Sequence, residues 1–184
     1  MQNVKALIFD VFGTVVDWRR GIAREAEAFL GRQKGLDLDW EAFADAWRGK
    51  YQPAMEPIRK GKRPFTKLDV LHRENLLQVL EEYSITGLSE AEVDHLNTAW
   101  HRLPPWPDSV PGLLRLKSKF IIGTQSNGNI ALMVNMAKNG GLPWDAILSA
   151  ELSGHYKPDP EAYLKAADLL SLRPEQVMMV AAHP

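Results

Sequence analysis

A chain of 184 residues, 45% of them hydrophobic, can bury one sizeable core or one core plus a small lid, and length alone does not choose between these. Its formal net charge of −1, with both signs mixed along the chain, leaves no electrostatic footprint for nucleic acid or an anionic membrane, so small-molecule chemistry is the expectation. The absence of cysteine excludes a disulfide framework and a thiolate metal site; no signal-peptide pattern or run of about 20 apolar residues occurs, and a cytoplasmic protein is expected.

Val4, Lys5, Ala6, Leu7, Ile8 and Phe9 are nearly all apolar and run into Asp10. That pattern predicts a strand buried on both faces of a parallel sheet, with a carboxylate at its C-terminal mouth. From about Val15 to Leu103 strand signals vanish and apolar residues recur at helical spacing. Trp18, Ile22, Ala26, Phe29 and Leu30 make one stripe; Trp40, Phe43, Ala44, Trp47 and Tyr51 make a second, opened by Asp39 as N-cap. Thr66 with Asp69, and Ser89 with Glu92, have capping-box spacing ahead of the stripes Leu68, Leu71, Val79 and Val93, Leu96, Trp100. Four helices in a row predict a lid, and Pro104, Pro105 and Pro107 then predict a hinge. Strand patterns resume at Phe120 to Thr124, Ala146 to Ser149 and Val177 to Ala182, each separated by a helical pattern, which implies βαβ crossovers. The expected fold is α/β: a Rossmann-like parallel-sheet core over residues 1–14 and 104–184, with an inserted four-helix-type cap over 15–103. Tryptophans 18, 40, 47, 100, 106 and 144 are expected to pack core and cap.

Ligands of an open parallel sheet bind beyond the carboxyl ends of its strands, so the polar residues gathered there matter most. In chain order they are Asp10 with Val11-Phe12-Gly13-Thr14, then Ser126-Asn127-Gly128, then Lys157-Pro158-Asp159, then Ala181-Ala182-His183. Each motif alone has an ordinary reading: Asp10 as a turn cap, Ser126 and Asn127 as turn residues, Lys157 as a solvated loop lysine, Arg48 as a snorkelling surface arginine. As an ordered set they resemble the haloacid dehalogenase superfamily over essentially the whole chain.

Phosphatases of that superfamily carry a second Asp two places after the nucleophile, as general acid, and hold magnesium with carboxylates after the fourth strand. Here those positions are Phe12, Ala181 and Ala182. A halide leaves as a weak base and needs donors and a cation around it rather than a proton or a metal. The chain is most similar to the 2-haloacid dehalogenases, through the aromatic at position 12, Ser126-Asn127-Gly128, Tyr156-Lys157-Pro158-Asp159 with Tyr163, and Trp47-Arg48. This resemblance implies that Asp10 attacks the halogen-bearing carbon, forms an ester and is freed by water, with an L-2-haloacid inverting to a D-2-hydroxy acid. It also implies that Arg48 and Asn127 cradle the halide, that Ser126, Lys157 and Thr14 hold the Asp10 carboxylate, and that backbone amides near Val11 and Phe12 bind the substrate carboxylate. Tyr163 would support the Lys157 loop, and His183 is a candidate without a role. No cofactor or metal is implied; the expected partners are a 2-haloacid and the halide product, with no nucleic acid and no membrane. Homodimers are common among such relatives, though no interface is legible here.

The resemblance further implies a C-terminally truncated chain. An Asp that positions Lys157 and activates the hydrolytic water would lie shortly past Pro184, and a helix and an edge strand would follow, so a fragment impaired in ester hydrolysis is expected. Two other functions stand beside the dehalogenase: a phosphatase or phosphonate hydrolase using Asp10 on phosphorus, and a catalytically silent binding module.

Overall fold

The computed structural model describes residues 3–182. Its sheet has three parallel strands, β1 (Ala6–Phe9), β2 (Ile121–Thr124) and β3 (Val177–Val180), in the order β2-β1-β3. All four residues of β1 are buried, as its unbroken apolar run requires, and Phe9 pairs with Thr124 on one side and Val180 on the other. The central strand therefore delivers Asp10 to the middle of the sheet's C-terminal edge. Between β1 and β2 lie the helical segment and α6 (Ser109–Lys117); between β2 and β3 lie α7 (Ile130–Gly140), α8 (Ala150–Ser153) and α9 (Pro160–Leu169). The result is a Rossmann-like α/β arrangement.

The strand expected over Ala146 to Ser149 is not formed as a continuous ladder. Only isolated parallel bridges, Gly123 to Ala146 and Ser126 to Ser149, join this segment to the β2 side. Side chains interrupt the pairing: Thr124 Oγ1 donates to the Leu148 carbonyl (2.7 Å) and accepts from the Leu148 N–H (2.9 Å), while the Asp145 carboxylate takes the Ile122 N–H (3.0 Å). The last strand likewise stops at Val180, short of the expected Ala182.

The helical segment holds five α-helices where the periodicity predicts four: α1 (Trp18–Ala26), which continues as a π-helical stretch (Glu27–Gln33), α2 (Trp40–Gly49), α3 (Tyr51–Arg59), α4 (Leu68–Glu82) and α5 (Glu90–Asn97). A 3-10 turn, Thr98–Arg102, closes it. The unexpected element is α3, because Tyr51 opens a new helix instead of extending the second stripe. Its two prolines are tolerated: Pro53 falls in the first turn, where N–H groups have no intrahelical acceptor, and Pro57 forfeits one bond. Asp39 caps α2 by accepting from the Ala42 N–H (2.9 Å), and the Ser89–Glu92 capping box forms. The Thr66–Asp69 box does not. Lys67 is the N-cap of α4, Thr66 donates to the Pro64 carbonyl, and Asp69 turns to His101 and Asn129 instead.

The prolines do mark the return from the helical segment. The Asp17 N–H donates to the Pro104 carbonyl (2.9 Å) and the Trp106 N–H to the Val15 carbonyl (3.0 Å), so the outgoing and returning chains run side by side. Trp47 and Trp100 are fully buried, Trp18 stacks on Trp100, and Trp144 packs on Phe9, so these tryptophans pack as expected. One continuous apolar cluster runs from Phe9 through Phe12 to Trp100, Trp47 and Leu71, and joins sheet to helical segment beneath the site. Truncating either buried indole to Ala would cost roughly 3–5 kcal/mol, which makes that junction a large part of the fold's stability. Among the described residues no helix is long and apolar enough to cross a membrane.

Candidate active site

Asp10 is anchored by its own N–H, which donates to the Val180 carbonyl (2.9 Å). Its carboxylate is gripped on both oxygens: Lys157 Nζ donates to Oδ1 (2.7 Å) and Thr14 Oγ1 to Oδ2 (3.0 Å). The Lys157 and Asp10 side chains are only 13% and 18% exposed, so solvent screens the pair weakly. Thr14 is itself held by the Ala182 N–H (3.0 Å). Lys157 is positioned through its backbone, because Asn127 Oδ1 accepts the Lys157 N–H (2.7 Å) ahead of a cis Lys157–Pro158 bond. Thr14 and Lys157 thus bond the Asp10 carboxylate, and Asn127 holds the Lys157 backbone and lines the same cavity.

Ser126 departs from expectation. Its fully buried hydroxyl accepts the Gly128 N–H (3.0 Å) and makes no hydrogen bond to Asp10, because the Ser-Asn-Gly turn uses it as an internal acceptor. The Val11 carbonyl accepts from Val15 and Val16, whereas among the described residues nothing accepts the Val11 or Phe12 N–H, so two backbone donors stand free beside Asp10. Tyr163 lines the same cavity, and burial, with the Asp10 charge adding to it, raises its phenol pKa. His183 lies outside the described residues.

The cavity over Asp10 measures about 560 Å³, and Phe12, Arg48, Asn127 and Lys157 are among its walls. Arg48 reaches it from α2 with its guanidinium carbon 3.8 Å from the Tyr51 ring centroid, 5.5 Å from that of Trp18 and 6.0 Å from that of Phe12. Among the described residues its buried Nη1 has no partner, a costly state that an anion in the cavity would relieve. Three further lining residues, Tyr51, Gln52 and Arg59, come from α3, and Met55 of the same helix packs on Asn127; sequence reasoning missed all four as site residues. Arg59 donates through Nη2 to the Lys157 carbonyl (2.6 Å) and through Nη1 to Gln52 Oε1 (2.9 Å), while Met55 Sδ meets Asn127 Nδ2 at 3.6 Å. The spacing 51, 52, 55, 59 is one helical face and was available as a signal, but Pro53 and Pro57 disguised it.

Three cations, Arg48, Arg59 and Lys157, line this cavity against a single carboxylate, Asp10, so the lining suits an anion. Among the described residues no group of three His, Cys, Asp or Glu able to hold a metal occurs. A larger cavity of about 830 Å³ lies between α1, the start of α2 and Pro104 to Pro107, but it shares no lining residue with the Asp10 cavity and mixes acids with bases.

A second polar cluster ties the helical segment to the loops of the site. The Asp69 carboxylate meets His101 Nε2 (3.0 Å) and Asn129 Nδ2 (2.8 Å), and the Asp69 N–H donates back to Asn129 Oδ1 (3.1 Å). Asn129 follows directly on the Ser126-Asn127-Gly128 turn. Tyr156, next to Lys157, donates to the Thr66 carbonyl, and Lys67 pairs with Glu151 (2.7 Å).

A strand-end aspartate held by a lysine and a threonine, under a helical segment inserted after the first strand, is the arrangement of one class of hydrolase. The chain belongs to the haloacid dehalogenase-like hydrolases, whose family pattern it matches over residues 4–181. It is 53% identical to the defluorinating L-2-haloacid dehalogenase Rha0230, whose crystal structure superposes with a TM-score of 0.95 over 98% of this chain and 74% of that one. The L-2-haloacid dehalogenase PA0810 is 46% identical, with a TM-score of 0.93 over 98% of this chain and 76% of the other. The (S)-2-haloacid dehalogenase 4A of Burkholderia cepacia is 27% identical over 200 aligned positions, covering all of this chain and 77% of that protein.

Proposed function

We propose that this enzyme hydrolyses the carbon–halogen bond of short 2-haloalkanoic acids, giving the 2-hydroxy acid and halide through an ester on Asp10. The likeness to three 2-haloacid dehalogenases supports the activity. The observation in this chain that carries it is the pairing of a carboxylate held on both oxygens with an arginine whose buried Nη1 has no partner among the described residues.

Asp10 displaces the halogen from the substrate's second carbon in line, forming a carbon–oxygen bond as the carbon–halogen bond breaks. Lys157 and Thr14 orient the carboxylate so that the attack is effectively intramolecular, and the compact ammonium stays to balance charge that leaves Asp10 and later returns. The free Val11 and Phe12 amides bind the substrate carboxylate. Arg48 and the Asn127 amide receive the departing halide, where preorganised donors act without reorganisation. Water then attacks the ester carbonyl carbon and restores the carboxylate beside Lys157. In domain terms, residues 1–14 and 104–184 form the catalytic core, and 15–103 form the cap that contributes Arg48.

The test is Asp10→Asn with 2-chloropropionate. Mass spectrometry of the unmutated protein should trap a 1-carboxyethyl ester on the Asp10 peptide, and the variant should release no chloride. Chloride release by the variant at the unmutated rate would remove the proposed nucleophile. Magnesium-dependent phosphate release from phosphomonoesters, abolished by chelator, would instead assign Asp10 to phosphorus.

A further inference from the structure

The displacement employs two of the three cations that line the cavity. Lys157 is committed to Asp10 at 2.7 Å, and Arg48 stands where the halide leaves; the third, Arg59, bonds the Lys157 carbonyl and Gln52 instead. Its side chain is 14% exposed, and the fork is set from two directions, with Nη2 donating to the Lys157 carbonyl at 2.6 Å and Nη1 to Gln52 Oε1 at 2.9 Å. Both acceptors are neutral, so neither balances the charge. Glu56 stands 3.9 Å from Nη1, at the outer limit of an ion pair, and is itself held by Lys60 at 2.8 Å. The two bonds to oxygen, with a weak 4.0 Å contact to Met55 Sδ, leave a second Nη1 hydrogen and the buried Nε, which has no partner among the described residues. Gln52 adds to this set. Its Oε1 is taken by Arg59, so its amide nitrogen faces the cavity region as a donor.

This end of the cavity therefore offers fixed donors and an unbalanced positive charge, preorganised at no cost to the ligand that meets them. It also has room. A cavity of about 560 Å³ falls in the size range that holds ligands far larger than a three-carbon acid, which fills only part of it. Arg59 touches the carbonyl of the same lysine whose ammonium holds Asp10, so guanidinium and nucleophile stand one lysine side chain apart. A four-carbon diacid attacked at its second carbon brings its far carboxylate to that distance.

We propose that Arg59 and Gln52 form a distal carboxylate subsite, which selects 2-halo dicarboxylic acids such as 2-chlorosuccinate over monoacids of the same length. This rests on the reading that Asp10 displaces halide from carbon. With 2-chlorosuccinate an Asp10 oxygen bonds to the second carbon, the carbon–chlorine electron pair departs as chloride, and water cleaves the ester to 2-hydroxysuccinate, one proton and the restored carboxylate. The far carboxylate takes no part in the bond changes; it rests on Arg59 and Gln52 throughout, so it acts on KM more than on kcat.

The experiment measures chloride release from L-2-chlorosuccinate and L-2-chlorobutanoate, which differ in a far carboxylate against a methyl group. The unmutated enzyme should favour the diacid by about 10- to 100-fold in kcat/KM, the worth of a charge-assisted hydrogen bond, with most of the difference in KM. Arg59→Met should abolish that preference. Because Arg59 also holds the Lys157 backbone, the variant should slow on both substrates, and the ratio between them is the readout. If Arg59→Met does not fold, Gln52→Leu should reduce the ratio several-fold, and raised salt should raise KM for the diacid but not for the monoacid. An unmutated enzyme that treats the two alike, or prefers the monoacid, overturns the proposal while leaving the dehalogenase reading intact. A preference that survives in Arg59→Met, or in Gln52→Leu together with a salt-independent KM, also overturns it. An enzyme that releases chloride from neither substrate nor from 2-chloropropionate, and forms no Asp10 adduct, overturns both.

Discussion

His72 predicts a measurable loss of stability in mild acid. It lies on α4, 2% exposed, stacked on Trp100 with ring centroids 4.4 Å apart, and it meets the rings of Phe12 and Trp47 edge-on at 6.4 Å each. Neither ring nitrogen has a partner among the described residues. Burial lowers its pKa from 6.5 to about 3; Asp69 pulls the other way, and Arg48 and His101 add to the lowering. Below pH 6.5 the unfolded chain therefore binds a proton that the folded chain refuses, so stability drops as pH falls and levels off only near pH 3. Each pH unit in that window costs about 1.4 kcal/mol, and at pH 5 the penalty is about 2 kcal/mol. His72→Phe keeps the stacked ring and removes the titration, and at pH 7.5 it should be near neutral because it deletes two unsatisfied polar atoms. The assay is urea unfolding of both proteins at pH 7.5 and pH 5.0, where every other titrating group cancels in the difference. The stability of His72→Phe relative to the unmutated protein should rise by about 2 kcal/mol between the two pH values. A difference that stays constant would mean that His72 is hydrated or partnered in solution and would refute the reasoning.

Two further predictions concern the grip on Asp10 and the contacts across the cavity. Thr14→Val removes the 3.0 Å bond to Asp10 Oδ2 and the acceptor of the Ala182 N–H, and should slow the single-turnover burst of chloride about 10- to 100-fold at saturating substrate, as one lost bond to a charged group implies. Asp69→Ala leaves the His101 Nε2 and the Asn129 amide without their acceptor, and should cost about 2–4 kcal/mol in urea unfolding while raising KM more than it lowers kcat.

What was legible in the sequence follows from the range of each signal. The β1 run, the Asp39 cap and the Ser89–Glu92 box are local patterns, fixed by neighbours within a turn or a strand, and they form where the spacing puts them. Thr66 and Asp69 have the same local spacing, yet Asp69 finds His101 and Asn129, partners 32 and 60 residues away, and a cap worth about 1 kcal/mol yields to a network of several bonds. Ala146 to Ser149 fails as a ladder for a related reason, since the Thr124 hydroxyl competes for the Leu148 backbone. In the site, Asp10, Thr14, Asn127 and Lys157 were legible because they stand at strand ends or in short motifs. Tyr51 and Arg59 were not, because proline suppressed the helix that aims them at the cavity.

A displacement without a metal draws its charge stabilisation from donors whose strength depends on how much water surrounds them. Two unit charges 4 Å apart interact by about 4 kcal/mol at an effective dielectric of 20 and by about 1 kcal/mol in bulk water. The nucleophile is held by Thr14 and Lys157, on loops of the sheet, whereas the proposed receiver of the halide is split between Asn127 on such a loop and Arg48 from the helical segment. Only when these two sets close over the cavity does the guanidinium act at the higher value. The contacts that close it run through the catalytic set itself: Arg59 donates to the Lys157 carbonyl, Met55 packs on Asn127, and Asp69 clasps the residue two after Asn127. A helical segment held in this way cannot loosen without disturbing Lys157 and Asn127, so its docking and the alignment of the nucleophile are coupled. A substitution at Arg59 should therefore act on chemistry even though its guanidinium reaches the Lys157 backbone and not Asp10.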